Sequence, residues 1–472
     1  MTNLLSMSTS DYNGTWAFIA QMGILFGAVI IANILRRKIP FIRKSLLPSA
    51  VIGGMLILLL KLIPPVKAFI NEDFMEIVAY HCLGLGFISM TLKDSGKKQP
   101  GQGMTIFKTG ATVVNTYLIQ VIVGMLITIP LSLLAVYKEK LFPGAGVLLA
   151  FGFGQGPGQA LNNGVILQTE HPYFEGANFG LAIATCGFFV ACLVGVVYLN
   201  IAKKKGKIKN LGGDFIDETD ENAKDIIPVS QSIDRLTMQI ALVFAIYAIS
   251  YLFLFGLEKL CAAATFLGNF GKTISDLFYG FNFLIGTVFA ILAKQIIKLL
   301  KKSNAMKHTY TDNYLLNRIS GLVFDVMILA ATAAIDFNKL EGLWLPLILV
   351  CAIGTVVSFI YLKFVCKRLY PTYEEEAFVS LFGMLTGTAS TGTILLREID
   401  PEFKTPASYN MVMQSMPAIL FGFPIMLLVG YLKVGLVESV ITTGICAVLF
   451  IAFNLFTMFD FKNKRFMFKN KK

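Results

Sequence analysis

Two glycine-rich stretches carry the polar groups that could hold a small ligand. The first is 151–164, FGFGQGPGQALNNG, and the second is 381–393, LFGMLTGTASTGT. Each interrupts strongly apolar sequence, so each is too broken for one spanning helix and too apolar for an aqueous loop. Non-helical backbone exists at membrane depth only where protein or a watery cavity satisfies its amide and carbonyl groups. The two stretches therefore predict a buried binding site.

The candidate site residues of these stretches combine glycines with amides and hydroxyls. Glycine lets the backbone approach a ligand closely, and the polar side chains supply hydrogen bonds. In the first stretch the candidates are Gly152, Gly154, Gln155, Gly156, Pro157, Gly158, Gln159 and Asn162. In the second stretch they are Gly383, Thr386, Gly387, Thr388, Ser390, Thr391, Gly392 and Thr393. Close helix packing through small residues is the alternative for the glycines, and a phosphate loop is disfavoured because no Gly-Lys-Ser/Thr follows.

Four residues outside the stretches complete the candidate site. Asp325 is an ionisable group near the middle of a predicted span, which marks an ion or proton site; a structural hydrogen bond to a neighbouring helix is the alternative. A coupling Na⁺ would use Asp325 and carbonyl oxygens of the stretches. Arg397 could meet a substrate carboxylate or mark the inner interface. Thr185 and Gln414 could bind substrate or satisfy backbone at a kink.

Composition identifies the class of protein that positions these residues. The chain has 472 residues, of which 55% are hydrophobic and 15% charged, whereas soluble domains average about 25% charged residues. Apolar runs of about 20 residues predict spanning helices instead of barrel strands. The net charge of +12 lies in short clusters between these runs, which orients the chain in a bilayer and does not indicate nucleic-acid binding.

The order of apolar runs predicts an internal repeat. We expect an N-terminal tail at 1–15, a first repeat at 16–201 with a hairpin at about 145–167, and a cytoplasmic linker at 202–233. A second repeat at 234–432 has its hairpin at about 377–396, and an extra helix with a basic tail occupies 433–472. The eleven predicted spans are 16–35, 46–63, 74–92, 109–137, 177–201, 235–256, 279–300, 316–335, 343–366, 410–431 and 436–458.

The predicted fold is an all-α polytopic membrane protein with two inverted five-helix repeats, each with a re-entrant hairpin, plus one extra C-terminal helix. An odd number of spans in the first repeat places the second upside down, provided that each hairpin returns to the side from which it came. With the N-terminus outside and the C-terminus inside, most of the 41 Lys and Arg residues lie on the cytoplasmic side. The positive-inside rule therefore favours re-entrant hairpins over spanning ones.

Several landmarks resemble the bacterial sodium/glutamate symporters. Pro48 to Gly54 reads PSAVIGG, Gly84-Leu85 and Ala184-Thr185-Cys186-Gly187 are similar to motifs of that family, and Pro417 lies where its last repeat helix has a proline. The resemblance implies opposed re-entrant loops, Na⁺ coupling, uptake of an amino-acid dicarboxylate and a homodimer. In the family the first hairpin reads GGHGTG, and here it lacks the histidine and the threonine. Citrate and 2-hydroxycarboxylate carriers share the hairpin arrangement and are the alternative.

The sequence therefore predicts a secondary active transporter that takes up a small organic anion, glutamate or a related dicarboxylate, with Na⁺. A citrate-type carrier with Na⁺ or H⁺ coupling is the runner-up. We expect no enzyme activity, because the three histidines are scattered, and no cofactor beyond the coupling Na⁺. A passive channel differs by giving flux without accumulation. The expected location is the bacterial plasma membrane, and the expected partners are the anionic metabolite, Na⁺ and the lipid bilayer.

Overall fold

The structure is a computed structural model with helices throughout. It describes residues 12–40, 42, 46–93, 103–207, 229–263, 278–279, 282–303, 311–400, 405–460 and 465–466. Within these ranges the only strands are an antiparallel pair of two residues each, β1 (Phe459–Asp460) and β2 (Arg465–Phe466). Most of the predicted tail 1–15 and linker 202–233 lies outside the described residues.

The described residues of the first half include seven α-helices with defined bounds. They are α1 (Tyr12–Lys38), α2 (Ser49–Leu60), α3 (Pro64–Lys67), α4 (Glu72–Leu92), α5 (Gly103–Ser132), α6 (Pro157–Glu170) and α7 (Gly176–Lys204). A 3₁₀ helix (Pro143–Val147) and a π-helical turn (Ala150–Gln155) connect α5 to α6. The interruption between two long apolar helices is therefore itself largely helical.

The described residues that follow include four further helices and a 3₁₀ turn. They are α8 (Val229–Ala263), α9 (Asn282–Lys302), α10 (Asn313–Ala334), the 3₁₀ turn Phe337–Leu340, and α11 (Trp344–Leu369). The remaining helices are α12 (Glu374–Thr386), α13 (Ala389–Arg397), α14 (Pro406–Met413), α15 (Ser415–Leu432) and α16 (Leu436–Met458). As in the first half, a pair of shorter helices, α12 and α13, interrupts the sequence of long ones.

Nine helices of the described chain are long and apolar enough to cross a membrane. They lie in α1, α4, α5, α7, α8, α9, α10, α11 and α16. The chain is therefore a membrane-embedded, polytopic helical protein. The count differs from the eleven predicted spans because two of those are shorter helices, Ser49–Leu60 and Pro417–Leu432.

Proline accounts for both shortened helices. Twelve residues of α2 rise about 18 Å, less than the roughly 30 Å of a hydrocarbon core, and the helix is followed within four residues by Pro64-Pro65. In the tenth predicted span, Pro417 has no N–H to bond the carbonyl of Met413, four residues before it. The chain breaks there into α14, which ends at Met413, and α15, which starts at Ser415.

Small residues let the central helices pack closely. Helix α4 lies along α10, while α5 lies along α11, α15 and α16. A Cβ atom on Gly53 of α2 would lie 2.7 Å from Leu329 Cδ1 of α10, and one on Gly54 would lie 2.6 Å from Thr332 Cβ. Larger side chains would separate α2 from α10, so the Gly-Gly pair fixes that contact.

A buried lysine binds the carbonyl groups at the C-terminal end of α10. The Lys61 ammonium donates to the carbonyl oxygens of Ala333 at 3.1 Å and Ile335 at 2.8 Å, and it lies 2.6 Å from Glu72 Oε1. Cations are favourable at helix C-termini because the last carbonyls have no helical partner.

Candidate functional site

The first glycine-rich stretch is a broken helix whose break lies at Gly156. The π-helical turn ends at Gln155, and Gly156 has φ +92° and ψ 178°, a conformation that is essentially restricted to glycine. Helix α6 then starts at Pro157, where proline is favourable because the first helical position needs no N–H donor. Gly152, Gly154, Pro157 and Gly158 are all buried.

The second stretch is also a broken helix, with its break at Gly387 and Thr388. Helix α12 ends at Thr386, and α13 starts at Ala389 with Thr388 as its N-cap. The Thr388 hydroxyl accepts from the Thr391 backbone N–H at 3.5 Å. A Cβ on Gly383 would lie 2.8 Å from the Cα of Gly392, so these glycines let the two arms of the break pack side by side.

The two breaks meet each other. A Cβ atom on Gly156 would lie 3.6 Å from Thr388 Cγ2 and 4.0 Å from the carbonyl oxygen of Gly387. Because α6 starts directly after Gly156 and α13 directly after Thr388, the N-termini of both helices lie at this contact. Helix N-termini carry partial positive charge and free N–H groups, which favour an anion.

Helix α7 forms one wall against both breaks. A Cβ on Gly187 would overlap the carbonyl oxygen of Thr386 and would lie 3.0 Å from Phe153 Cδ1. Two residues earlier, Thr185 is 9% exposed, and its hydroxyl has no hydrogen-bond partner among the described residues. Gly187 therefore places α7 in direct contact with both stretches, next to an available hydroxyl group.

Helix α5 forms a second wall through Gln120, a residue that the sequence analysis missed. Its amide nitrogen donates to the carbonyl oxygen of Leu385 at 3.0 Å and to Ser358 Oγ at 3.1 Å. Its amide oxygen has no hydrogen-bond partner in the described chain and would lie 3.0 Å from a Cβ on Gly154. Gln120 thus bonds the second stretch while it faces the first. The sequence feature that could have identified Gln120 as a site residue is that it is a glutamine within the apolar run of α5.

Other buried amides around the breaks also have atoms without partners. Across the residues that the structure describes, Gln159 Nε2, Asn163 Oδ1 and Gln414 Oε1 lack a hydrogen-bond partner. Gln159 is 1% exposed and lies in the first turn of α6; Gln414 contacts α12 through Met384 Sδ at 3.6 Å. A buried polar atom left unsatisfied costs about 1–3 kcal/mol, so these atoms are suited to hydrogen-bond a ligand or water.

Two threonines of the second stretch bond to carbonyl groups of their own helices. Thr386 donates to the Phe382 carbonyl at 2.7 Å and Thr393 to the Ala389 carbonyl at 2.9 Å. Asn162 is buried and Gln155 is partly buried at the end of the π-helical turn. The side chain of Ser390 lies outside what the structure describes.

Two charged candidates lie away from the meeting point of the breaks. Asp325 is exposed on α10, whereas Met327 faces the first stretch, with its Sδ 2.9 Å from a Cβ on Gly158. Residues two apart on a helix point about 200° apart, so Asp325 lies on the opposite side of α10. Arg397 is exposed at the C-terminal end of α13, about 12 Å along the helix from its first residue.

The described residues contain no group of three or more His, Cys, Asp or Glu side chains that could hold a metal ion. Oxygen atoms at the breaks belong to carbonyls, hydroxyls and amides. Comparison with protein-family models gives no match, and comparison with curated protein sequences gives none either. The resemblance to sodium/glutamate symporters therefore stays a prediction, and the geometry of the two breaks carries the functional argument.

Proposed function

We propose that this protein is a secondary active transporter that takes up a small organic anion together with Na⁺. The observation that carries the proposal is the contact between Gly156 and Thr388, at which the N-termini of α6 and α13 converge inside an apolar helical protein. Two helix N-termini attract the anion, and broken helices leave backbone carbonyls for a cation.

The helix order supports two inverted repeats as part of the proposal. The order α1, α2, α4, α5, broken stretch, α7 is followed by α8, α9, α10, α11, broken stretch, α14–α15. If α4 corresponds to α10 and α2 to α9, a pseudo-twofold axis relates the contact of α2 with α10 to that of α9 with α4. Both contacts are present. In this scheme α16 is the extra helix, and each broken stretch is a re-entrant hairpin.

The charge of the site supports an anionic substrate. Residues 145–167 and 377–396 contain no Asp, Glu, Lys or Arg, so helix N–H groups and side-chain amides would hydrogen-bond the substrate carboxylates. Glutamate or a related dicarboxylate is the first candidate, following the resemblance. Citrate or a 2-hydroxycarboxylate is the second, because no carboxylate in either stretch is present to pair with the ammonium group of an amino acid.

The charge distribution along the chain supports the proposed orientation in the membrane. Clusters such as Arg36-Arg37-Lys38 and Lys203-Lys204-Lys205 follow apolar helices and place those ends in the cytoplasm by the positive-inside rule. The N-terminus then lies on the outer side of a bacterial plasma membrane, and the C-terminus lies on its cytoplasmic side. A homodimer follows from the resemblance alone.

Uptake into proteoliposomes tests the proposal. Purified protein is reconstituted, and entry of labelled glutamate, aspartate and citrate is measured with an inward Na⁺ gradient, with equal Na⁺ on both sides, and with choline instead of Na⁺. We expect accumulation of one of these anions above its electrochemical equilibrium only with the gradient. Flux that never exceeds equilibrium would instead indicate a channel, and the absence of Na⁺-dependent uptake of every anion would reject the proposal.

A further inference from the structure

A small polar cavity lies where α11 ends and α12 begins. Its walls come from α5, α12, α14 and the turn between α11 and α12. It offers about 10 Å³ to the centre of a water-sized sphere, and roughly 10–15 Å³ of such space holds one water molecule. The lining residues that carry a side-chain oxygen are Thr109, Tyr370, Tyr373, Ser380 and Asn410. The cavity therefore suits a single water molecule or an unhydrated monatomic ion.

Three hydroxyl groups of the wall use their hydrogen atoms in bonds to other groups. Thr109 donates to the carbonyl oxygen of Thr105 at 2.7 Å. Because this bond uses its only hydroxyl hydrogen, the 2.7 Å contact between the Thr109 and Tyr370 hydroxyls is donated by Tyr370. Ser380 donates to the carbonyl oxygen of Ala377 at 3.1 Å. These hydroxyl groups therefore offer the cavity lone pairs and not hydrogens.

Asn410 adds an acceptor that has no hydrogen-bond partner within the described chain. The residue is 3% exposed, and its amide nitrogen donates to the Tyr373 hydroxyl at 2.8 Å, whose own hydrogen can rotate out of the cavity. The Oδ1 atom of Asn410 is buried and unsatisfied, which costs free energy unless a bound group compensates it. A cation or a water hydrogen satisfies this oxygen, whereas an anion is repelled by it.

The charges around the cavity favour a cation over water. Helix α11 ends at this turn, where its last carbonyl groups carry partial negative charge. Residues 374–376 are three glutamates in the first turn of α12; Lys363 pairs with the first two, and Glu376 directly precedes the cavity wall. The Asp400 carboxylate is close enough to Glu376 for the two charges to repel each other. A cation in the cavity would relieve that repulsion.

The oxygen types of the wall select a monovalent ion. Mg²⁺ and Ca²⁺ are bound through carboxylate oxygens, and soft metals use Cys, whereas this wall supplies hydroxyl and amide oxygens. We infer that the cavity binds one unhydrated alkali cation, such as Na⁺, with Asn410 Oδ1 and Ser380 Oγ among its ligands. Ser380 lies eight residues before Thr388, about 12 Å along the helix. The cation site is therefore separate from the contact of the two breaks, and it does not depend on transport of an anion.

Equilibrium binding of radioactive Na⁺ to the purified full-length protein in detergent, with choline chloride as the background salt, tests the inference. Asn410→Leu keeps the branched shape of the side chain and removes the unsatisfied oxygen, so we expect it to bind one Na⁺ fewer per chain than the wild type. The matched control is Asn115→Leu. Asn115 is buried, also has an unsatisfied Oδ1 in the part of the chain that is described, and bonds to Thr457 outside the cavity. This control should bind as many Na⁺ ions as the wild type.

Equal Na⁺ binding by the wild type and Asn410→Leu would overturn the inference and leave the cavity to water, and so would an equal loss in Asn115→Leu. Ser380→Ala keeps the test decisive if the leucine variant does not fold. It removes one ligand and should weaken the Kd of this site at least tenfold; an unchanged Kd would contradict the site. Mg²⁺ at the same concentration should not displace Na⁺, and displacement would assign the bound ion to Glu376 and Asp400 instead.

The outcome for this site is distinguishable from that of the proposed transport. Na⁺ that is bound by the wild type and lost in Asn410→Leu, without Na⁺-driven uptake of any anion, would support the cavity site and reject the transporter. Na⁺-driven uptake together with unchanged Na⁺ binding in Asn410→Leu would reject the cavity site and support the transporter.

Discussion

Replacement of Gly156 by alanine tests the geometry on which the transport proposal depends. Gly156 has φ +92° and ψ 178°, a region in which a residue with a Cβ atom is strained by about 1–3 kcal/mol. The added methyl group itself is tolerated, because it would lie 3.6 Å from Thr388 Cγ2, an ordinary contact. The main effect of Gly156→Ala is thus backbone strain at the point where α6 begins.

The strain is relieved if φ rotates to a negative value, and that rotation turns the N-terminus of α6 away from Thr388. A cost of about 1–3 kcal/mol reduces the population of the aligned state roughly 5- to 150-fold. We expect Na⁺-driven uptake to fall by about that factor, with normal folding by size-exclusion chromatography. The matched control is Gly206→Ala, which also has positive φ, +66°, but has nothing within 4 Å of the new Cβ.

The Gly206 variant should lose a similar amount of thermal stability while transport stays within about twofold of wild type. Equal uptake by the Gly156 and Gly206 variants, at equal protein incorporation, would refute the argument. Gly156 would then serve only to turn the chain, and the convergence of the helix N-termini would have no part in transport.

Three further predictions concern packing and charge. Gly187→Ala places a methyl group on the Thr386 carbonyl oxygen, so we expect a lower Tm and loss of transport, whereas Gly256→Ala, with nothing within 4 Å, should cost neither. Lys61→Ala removes the closer cation of Glu72, which keeps Lys339 at 4.0 Å, and the donor to the last carbonyls of α10. Breaking a buried ion pair costs up to about 3–5 kcal/mol, so we expect a lower Tm; a thermal melt within 1 °C of wild type would contradict this. For Asp336, burial raises the pKa. The hydrogen bonds that its carboxylate accepts from Lys67 and from the Asn338 N–H lower the pKa by a larger amount, so the net pKa is below the usual 3.8. The ionised Asp336 therefore contributes its full stability above the unfolded-state pKa and loses it as pH falls through the folded-state pKa. Between pH 5 and pH 3 the Tm of Asp336→Asn should fall by less than the Tm of the wild type. An equal fall in the two proteins would exclude a contribution of the ion pair to stability.

The location of the site could be predicted from sequence because broken helices have a local signature. Gly156, with proline next to it, and Gly387-Thr388 stand between apolar runs, and both are the points at which the structure breaks its helices. That the two stretches form one site was predicted, but the particular contact of Gly156 with Thr388 was not, since these positions are more than 200 residues apart. In the structure, Gly187 of α7 and Gln120 of α5 each contact both stretches.

Gln120 shows why the walls of the site were missed. Its partners Ser358 and Leu385 lie 238 and 265 residues away, and no local pattern relates them. Asp325, predicted as an ion site from its place in an apolar run, lies on the side of α10 opposite Met327, which faces the first stretch. For both residues, the outcome depends on which side of the helix faces a distant part of the chain. A single sequence does not give that orientation.

Protection of single cysteines at the breaks is the measurement that tests the central claim most directly. Gln155→Cys and Thr388→Cys, each in a background without the seven native cysteines, are labelled with a membrane-permeant thiol reagent in the presence and absence of the transported anion. Ser303→Cys, exposed at the end of α9, is the control that reacts without protection. The account predicts labelling at both breaks that the transported anion slows severalfold, and unprotected or absent labelling at both would contradict it.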